Sequence, residues 1–276
     1  MTWTCCKGVP FTIKKSNFVI CMEFIDTHTH ISDEAFSGCR EEIVSRALKA
    51  GVGKMIQADI DSTEREGMFS VVGKYSGILF PMLGLYPGSV RDDWKEEIDR
   101  MLPYRSKGVV AIGEIGLDYH YGADFKEQQK EAFRAQLELA ASWNLPVNIH
   151  LREATDDFFS IMDSCSHLGL RGDIHAFSGS YETFTRLQKY GDWYVGIGGV
   201  VTFRNASIAR DIVKIPTEKI LLETDAPYLA PVPYRGTRNE SANIPLIAGH
   251  IAALKGISLE EIAETTTDNA KKLFGI

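Results

Sequence analysis

From Met22 onward, short apolar runs alternate with longer stretches of helical period, and no Pro- or Ser-rich linker interrupts them. That alternation builds βα units around a parallel sheet. The runs are Phe24 to His30, Lys54 to Gln57, Ile78 to Leu85, Val109 to Gly113, Val147 to His150, Asp173 to Phe177, Tyr194 to Ile197 and Ile220 to Glu223. Helical stretches fall at Glu41 to Ala50, Thr63 to Tyr75, Arg91 to Leu102 and, the longest, Phe125 to Trp143. In the first, Ile43, Val44, Ala47 and Leu48 form an apolar stripe and Gly51 is placed to stop it. Eight strands in about 255 residues match a single (β/α)8 TIM barrel with parallel strands. A doubly wound sheet fits less well, because no Gly-x-Gly-x-x-Gly turn follows the first strand. Ser258 to Glu261 is a capping box, which predicts a C-terminal helix ending near Phe274.

This barrel domain is expected over residues 22–276, with residues 1–21 an N-terminal extension outside the fold and Met22 a natural start. The extension holds Lys7, Lys14 and Lys15 but no continuous apolar core, so no secretory signal is expected. Five cysteines, Cys5, Cys6, Cys21, Cys39 and Cys165, are odd in number and match no disulfide framework or zinc ribbon. A reducing compartment, the cytoplasm, follows. No apolar run approaches the roughly 18–20 residues that span a bilayer, so no membrane partner is expected. Nor is an obligate protein partner evident. A net charge of −7 argues against coating nucleic acid by bulk electrostatics, so phosphate contacts must be local.

In such barrels the chemistry sits where the strands end, and those positions here are rich in metal-compatible groups. The first strand ends in His28 and His30, the fourth in Glu114, the fifth in His150, the sixth in His175 and the eighth in Asp225. Of seven histidines, only His120, His167 and His250 lie elsewhere. Strand alternation turns His28 and His30 to one face, and neutral imidazole is a common ligand. The set suits two divalent ions: His28, His30 and Asp225 on one, His150 and His175 on the other, with Glu114 bridging. Paired ions can activate a water between them, and Asp225 is suited to take its proton. Glu114 and Asp225 are thus the catalytic candidates. Mixed His and carboxylate sites leave Mg²⁺, Mn²⁺ and Zn²⁺ open.

The strings Phe24 to His30 (FIDTHTH), Ala111 to Tyr119 (AIGEIGLDY), Leu145 to Arg152 (LPVNIHLR), His175 to Gly179 (HAFSG) and Leu222 to Pro231 (LETDAPYLAP) resemble the TatD-type metal-dependent deoxyribonucleases of the amidohydrolase superfamily. Arg235-Gly236 and Arg238-Asn239-Glu240 continue the likeness, which runs from about Glu23 to the C-terminus. The resemblance implies a TIM barrel, the same six metal ligands, and 3′-to-5′ hydrolysis of nucleic-acid phosphodiesters, DNA above all and RNA as an alternative. Some members of the family are D-aminoacyl-tRNA deacylases, so ester or amide hydrolysis of an aminoacyl-tRNA is the alternative reaction. A metal-binding protein without turnover is the third reading. Where the family has Gly-x-His-Pro, this chain has Gly84-Leu85-Tyr86-Pro87, so Tyr86 stands beside the expected substrate site. It can donate a hydrogen bond to phosphate but not carry charge there. Ser241 replaces a usual Pro without evident chemistry.

Arg152 shares a face with His150 if the fifth strand runs that far, aiming it at a phosphate. Arg204, Arg235 and Arg238 belong to segments expected above the barrel, as phosphate forks or loop-fixing ion pairs. Arg238 with Glu240 is read as the structural pair. Asp118 and Tyr119 are read as following Glu114 on its loop, where they orient ligands, with base stacking or packing as alternatives for Tyr119. Gly196, Gly198 and Gly199 read as a tight turn, since no Lys-Ser/Thr partner makes them a phosphate loop.

Overall fold

The computed structural model describes residues 22–121 and 123–276; the proposed extension and Cys5, Cys6 and Cys21 lie outside them. Eight parallel strands pair in sequence order: β1 Phe24–Thr29, β2 Val52–Gln57, β3 Leu79–Leu83, β4 Ala111–Asp118, β5 Val147–Arg152, β6 Gly172–Ile174, β7 Trp193–Ile197 and β8 Ile220–Leu222. Beyond the last strand, a bridge between Thr29 and Ala226 brings β8 back against β1. Backbone bonds from Asp225 N–H to His28 O and from His30 N–H to Ala226 O, at 2.9 and 2.8 Å, tie the seam. The result is a nearly closed (β/α)8 barrel.

The helices are α1 Arg40–Lys49, α2 Ser62–Lys74, α3 Trp94–Asp99, α4 Lys126–Trp143, α5 Thr155–Ser164, α6 Tyr181–Leu187, α7 Ile208–Asp211, α8 Ile244–Lys255 and α9 Leu259–Phe274. Their apolar stripes, such as Ile43, Val44 and Ala47 of α1 or Phe133, Leu137 and Ala140 of α4, pack with outward strand residues including Val147, Ile149 and Val195. A smaller apolar cluster joins Ile25, Ile56, Met82, Tyr194 and Leu221 to Leu273 and Phe274 of α9. Helix α9 is started by Ser258, whose side chain accepts the Glu261 N–H.

Several expectations shift. The segment 91–102 is helical only over Trp94–Asp99, followed by a 3-10 turn at Leu102–Tyr104; Pro103 has no N–H to continue a helix and disfavours helical backbone at the residue before it. Strand β6 stops at Ile174 and β8 at Leu222, so His175, Glu223 and Asp225 sit just past strand ends. The larger correction concerns β4. It runs to Asp118 because Ile115, Gly116, Leu117 and Asp118 pair with Ile149, His150, Leu151 and Arg152. Glu114 is therefore within the strand, at a register shift between Ile112 and Ile115, and Asp118 is strand, not loop. Gly116, at φ 140°, allows the close pairing: a Cβ there would lie 2.0 Å from His150 O.

Candidate metal centre

Strand β1 brings two imidazoles to the top of the barrel. His28 is fully buried, and its Nδ1 lies 2.8 Å from Asn148 Oδ1, while Asn148 Nδ2 donates to Asp173 Oδ2 at 2.8 Å. An amide oxygen only accepts, so the His28 proton belongs on Nδ1 and the Nε2 lone pair faces inward. That Nε2 lies 3.2 Å from His30 Nε2, 3.5 Å from Glu114 Oε2 and 3.7 Å from Asp225 Oδ1. His30 Nε2 stands 3.4 Å from Asp225 Oδ1 and 3.9 Å from Glu114 Oε2.

The other carboxylate oxygen of Glu114 faces the opposite way. Its Oε1 is 2.7 Å from His150 Nδ1 and 2.9 Å from His175 Nε2, and these two nitrogens are 3.1 Å apart. All six predicted ligands are thereby brought together, with Glu114 presenting one oxygen to each histidine pair. Grouped by mutual proximity of ligand atoms, the sets are His28, His30 and Asp225, and His28, Glu114 and His175. His150 adjoins the second through Glu114 and His175.

This donor set fits divalent cations. With the His28 proton held at Asn148, acceptor atoms crowd one small volume, and a cation placed there would satisfy them together. Electrostatics point the same way. Burial raises the Glu114 carboxyl, but His175, His150 and His28 outweigh it and hold the group well below the usual carboxylate range. Burial opposes charge on His28 too, yet Glu114 and Asp225 push it up to about 10. His175 is pushed down to about 4 by burial and by the charge on His28. Without metal, protons balance the carboxylates; a bound cation would displace them.

A further layer orients the ligands. Asp118 Oδ2 accepts from His150 Nε2 at 2.9 Å, and its Oδ1 accepts the N–H groups of His120 and Tyr121 at 2.8 and 2.9 Å. Burial opposes its charge, but the His150 bond and those backbone donors bring Asp118 down to about 2. Tyr86 packs edge-on against His150, ring centres 5.2 Å apart, with its hydroxyl 3.4 Å from Asp118 Oδ2. Burial, then Glu114 and Asp118, raise the phenol, so it stays protonated. Burial also opposes charge on Asp225, but His30 and His28 hold its carboxyl below the usual range.

Above the centre opens a cavity of about 730 Å³, lined by Tyr86 and Arg152 among others. Arg204 and Arg235 do not line it. Both are exposed, and the Arg235 guanidinium lies over the Phe203 ring at 4.4 Å. Arg238 donates to Ala35 O at 2.6 Å and covers Phe36, while Glu240 pairs with Arg46 at 2.8 Å rather than with Arg238. Tyr119 also turns away: its hydroxyl donates to Asp157 at 2.5 Å and Lys126 lies over its ring.

Sequence reasoning passed over Asn148, Asp173 and Glu223 as functional groups. Each stands two residues before a ligand, so the period-2 rule could have placed them directly beneath His150, His175 and Asp225. Glu223 accepts the Ala176 N–H at 2.5 Å, and its other oxygen is why residue 196 is Gly: a Cβ there would lie 2.0 Å from Glu223 Oε2. Asp59 was also passed over; it pairs with Arg65 at 2.7 Å and takes the Glu114 N–H on its carbonyl at 3.3 Å.

The chain is matched over residues 25–275 by a family model described as TatD related DNase. It is 38% identical over 254 residues to the uncharacterized metal-dependent hydrolase YabD of Bacillus subtilis, covering 91% of this chain and 98% of that one. It is 34% identical over 259 residues to the 3′-5′ ssDNA/RNA exonuclease TatD of Pantoea ananatis, covering 91% and 99%. Among solved structures, the TatD homologue YjjV of Escherichia coli superimposes with a TM-score of 0.84 at 32% identity, covering 93% of this chain and all of that one.

Proposed function

The chain belongs to the TatD-related DNase family of metal-dependent hydrolases, and on that premise we propose that it hydrolyses nucleic-acid phosphodiesters, as a 3′-to-5′ deoxyribonuclease using two divalent ions of Mg²⁺, Mn²⁺ or Zn²⁺. The observation that carries this reading is the orientation of Glu114, one carboxylate oxygen toward His28 and His30 and the other toward His150 and His175. The relative named as an ssDNA/RNA exonuclease supports the substrate class.

Ions held by these six residues would supply Lewis acidity and an activated water. The chain supplies the rest. Asp225, ionised and bordering the cavity, takes the proton of the attacking water. Arg152 offers its guanidinium to the phosphate from the strand that carries His150. Asp118 fixes the His150 ring, and Tyr86 packs it in place while its hydroxyl faces the same carboxylate. The cytoplasm is the proposed location, supported by Cys39 and Cys165, which form no disulfide among the described residues. Among the described residues no single helix is long and apolar enough to cross a membrane.

A 5′-labelled single-stranded oligonucleotide, incubated in Mg²⁺ or Mn²⁺, should yield a ladder of shortened products. Chelator and Glu114→Ala should each abolish it, the latter with an unchanged circular dichroism spectrum. An intact oligonucleotide alongside metal-loaded protein would instead favour the second reading, hydrolysis of an aminoacyl ester or amide. Asp33 and Glu64 on the cavity wall favour that reading to the extent that they suit a cationic substrate group.

A further inference from the structure

We propose that Tyr121 and Tyr228 are stacking walls for the nucleobases on the two sides of the scissile phosphate, one wall over each half of the metal centre. The inference rests on the nuclease reading above and names how that substrate is held.

Tyr121 follows β4, and Tyr228 follows the Asp225 segment after β8. In an eight-stranded barrel paired in sequence order, the β4–β5 side lies across from the β8–β1 side. The two tyrosines therefore rise on opposite rims of one cavity, and both line it. Each belongs to one half of the ligand set. Tyr121 packs beneath the Arg152 guanidinium, 4.8 Å from its ring centre, on the strand of His150. Tyr228 sits edge-on to His30 at 6.2 Å, and its hydroxyl is 3.1 Å from Asp33 Oδ2, which anchors the ring without covering it.

Both rings are large apolar surfaces left in water, Tyr121 72% exposed and Tyr228 54% exposed. An aromatic face open to solvent beside a reaction centre accepts any base, because every base offers a π-face. The charges around the cavity argue for bases rather than phosphates on these walls. Among the described residues Arg152 is the one Arg or Lys that lines it, whereas Asp33 and Glu64 add negative charge. A backbone could not be tracked phosphate by phosphate along such a surface. One phosphate fits, at the ions and Arg152, and the neighbouring nucleosides must be gripped by something uncharged.

The test crosses ring deletion with base deletion. kcat and KM are measured in Mn²⁺ for wild type, Tyr121→Ala and Tyr228→Ala, and for Tyr121→Phe and Tyr228→Phe, which keep the rings. The substrates are a short oligonucleotide, the same strand with abasic sites flanking the scissile bond, and the base-free diester bis(p-nitrophenyl) phosphate. Each Ala variant should raise KM on the normal strand by about 10-fold or more, while the Phe variants stay near wild type. The abasic strand should cost wild type a comparable factor, and ring deletion should then add little. Equal losses from ring deletion on normal and abasic strands, with the small diester still hydrolysed, would overturn the stacking walls and leave the nuclease reading standing. No turnover of strand or diester by metal-loaded wild type would remove that reading and the inference together.

Discussion

Replacing Asn148 by Ala removes the acceptor that keeps a proton on His28 Nδ1 and so frees the ring to change tautomer or turn. Partners of this kind tune metal sites without touching the ion, and their loss costs about 10–100-fold in affinity. Asn148→Ala should bind Mn²⁺ or Zn²⁺ that much more weakly in competition with a chromogenic chelator, with secondary structure unchanged by circular dichroism. Unaltered affinity would mean that the bond only fills space. The candidate ligands could be read from the chain because His, Glu and Asp in or just after short apolar strands are conspicuous. Asn148 and Asp173 were harder to see, because their importance lies in a contact between β5 and β6 that spans 25 residues.

Helix α2 shows how elements are joined over a distance. Its first N–H, from Ser62, donates to Glu97 Oε2 at 3.0 Å, and the Ser62 hydroxyl donates to Oε1 at 2.7 Å, so a carboxylate from α3 caps α2. Exposed backbone donors at a helix start need such partners. Burial works against charge on Glu97, but Ser62 and the adjacent Arg100 outweigh it and lower its carboxyl below the ordinary 4.5. Glu97→Ala should cost about 1–3 kcal/mol in urea unfolding at neutral pH. A carboxyl lowered on folding stabilises above its unfolded pKa, and that contribution fades as pH falls through the folded value. The gap between wild type and Glu97→Ala should therefore narrow below about pH 4.5; a gap constant down to pH 3 would assign the cost to packing alone. In the sequence, 91–102 reads as one polar helix, and its period carries no trace of a cap delivered to another element.

Across the whole molecule, stability and chemistry occupy different depths of the barrel. From β8 into the segment that follows it the order is Leu221, Glu223, Asp225: apolar cluster, the carboxyl that accepts the Ala176 N–H, candidate ligand. Phe274 of α9, only 6% exposed, packs into that apolar cluster, and Phe274→Ala should lower unfolding free energy by about 3 kcal/mol. Metal affinity of the folded variant should match wild type by the same chelator competition, and a parallel loss would show that the cluster and the metal centre are coupled. The sequence by itself determined the barrel and its six converging candidate ligands, because strand and helix periods are local and the upper ends of the strands in such a barrel meet at one face. It also marked Tyr86 as a departure at that face. Only the tertiary structure decided that β4 continues past Glu114, since its extra length comes from pairing with β5. The same holds for which arginines line the cavity. Arg152 is carried there by strand alternation, whereas Arg204 and Arg235 lie on loops whose path no period records. Tyr121 and Tyr228 became neighbours of one cavity for a related reason: barrel closure brings together side chains that are 107 positions apart in the chain.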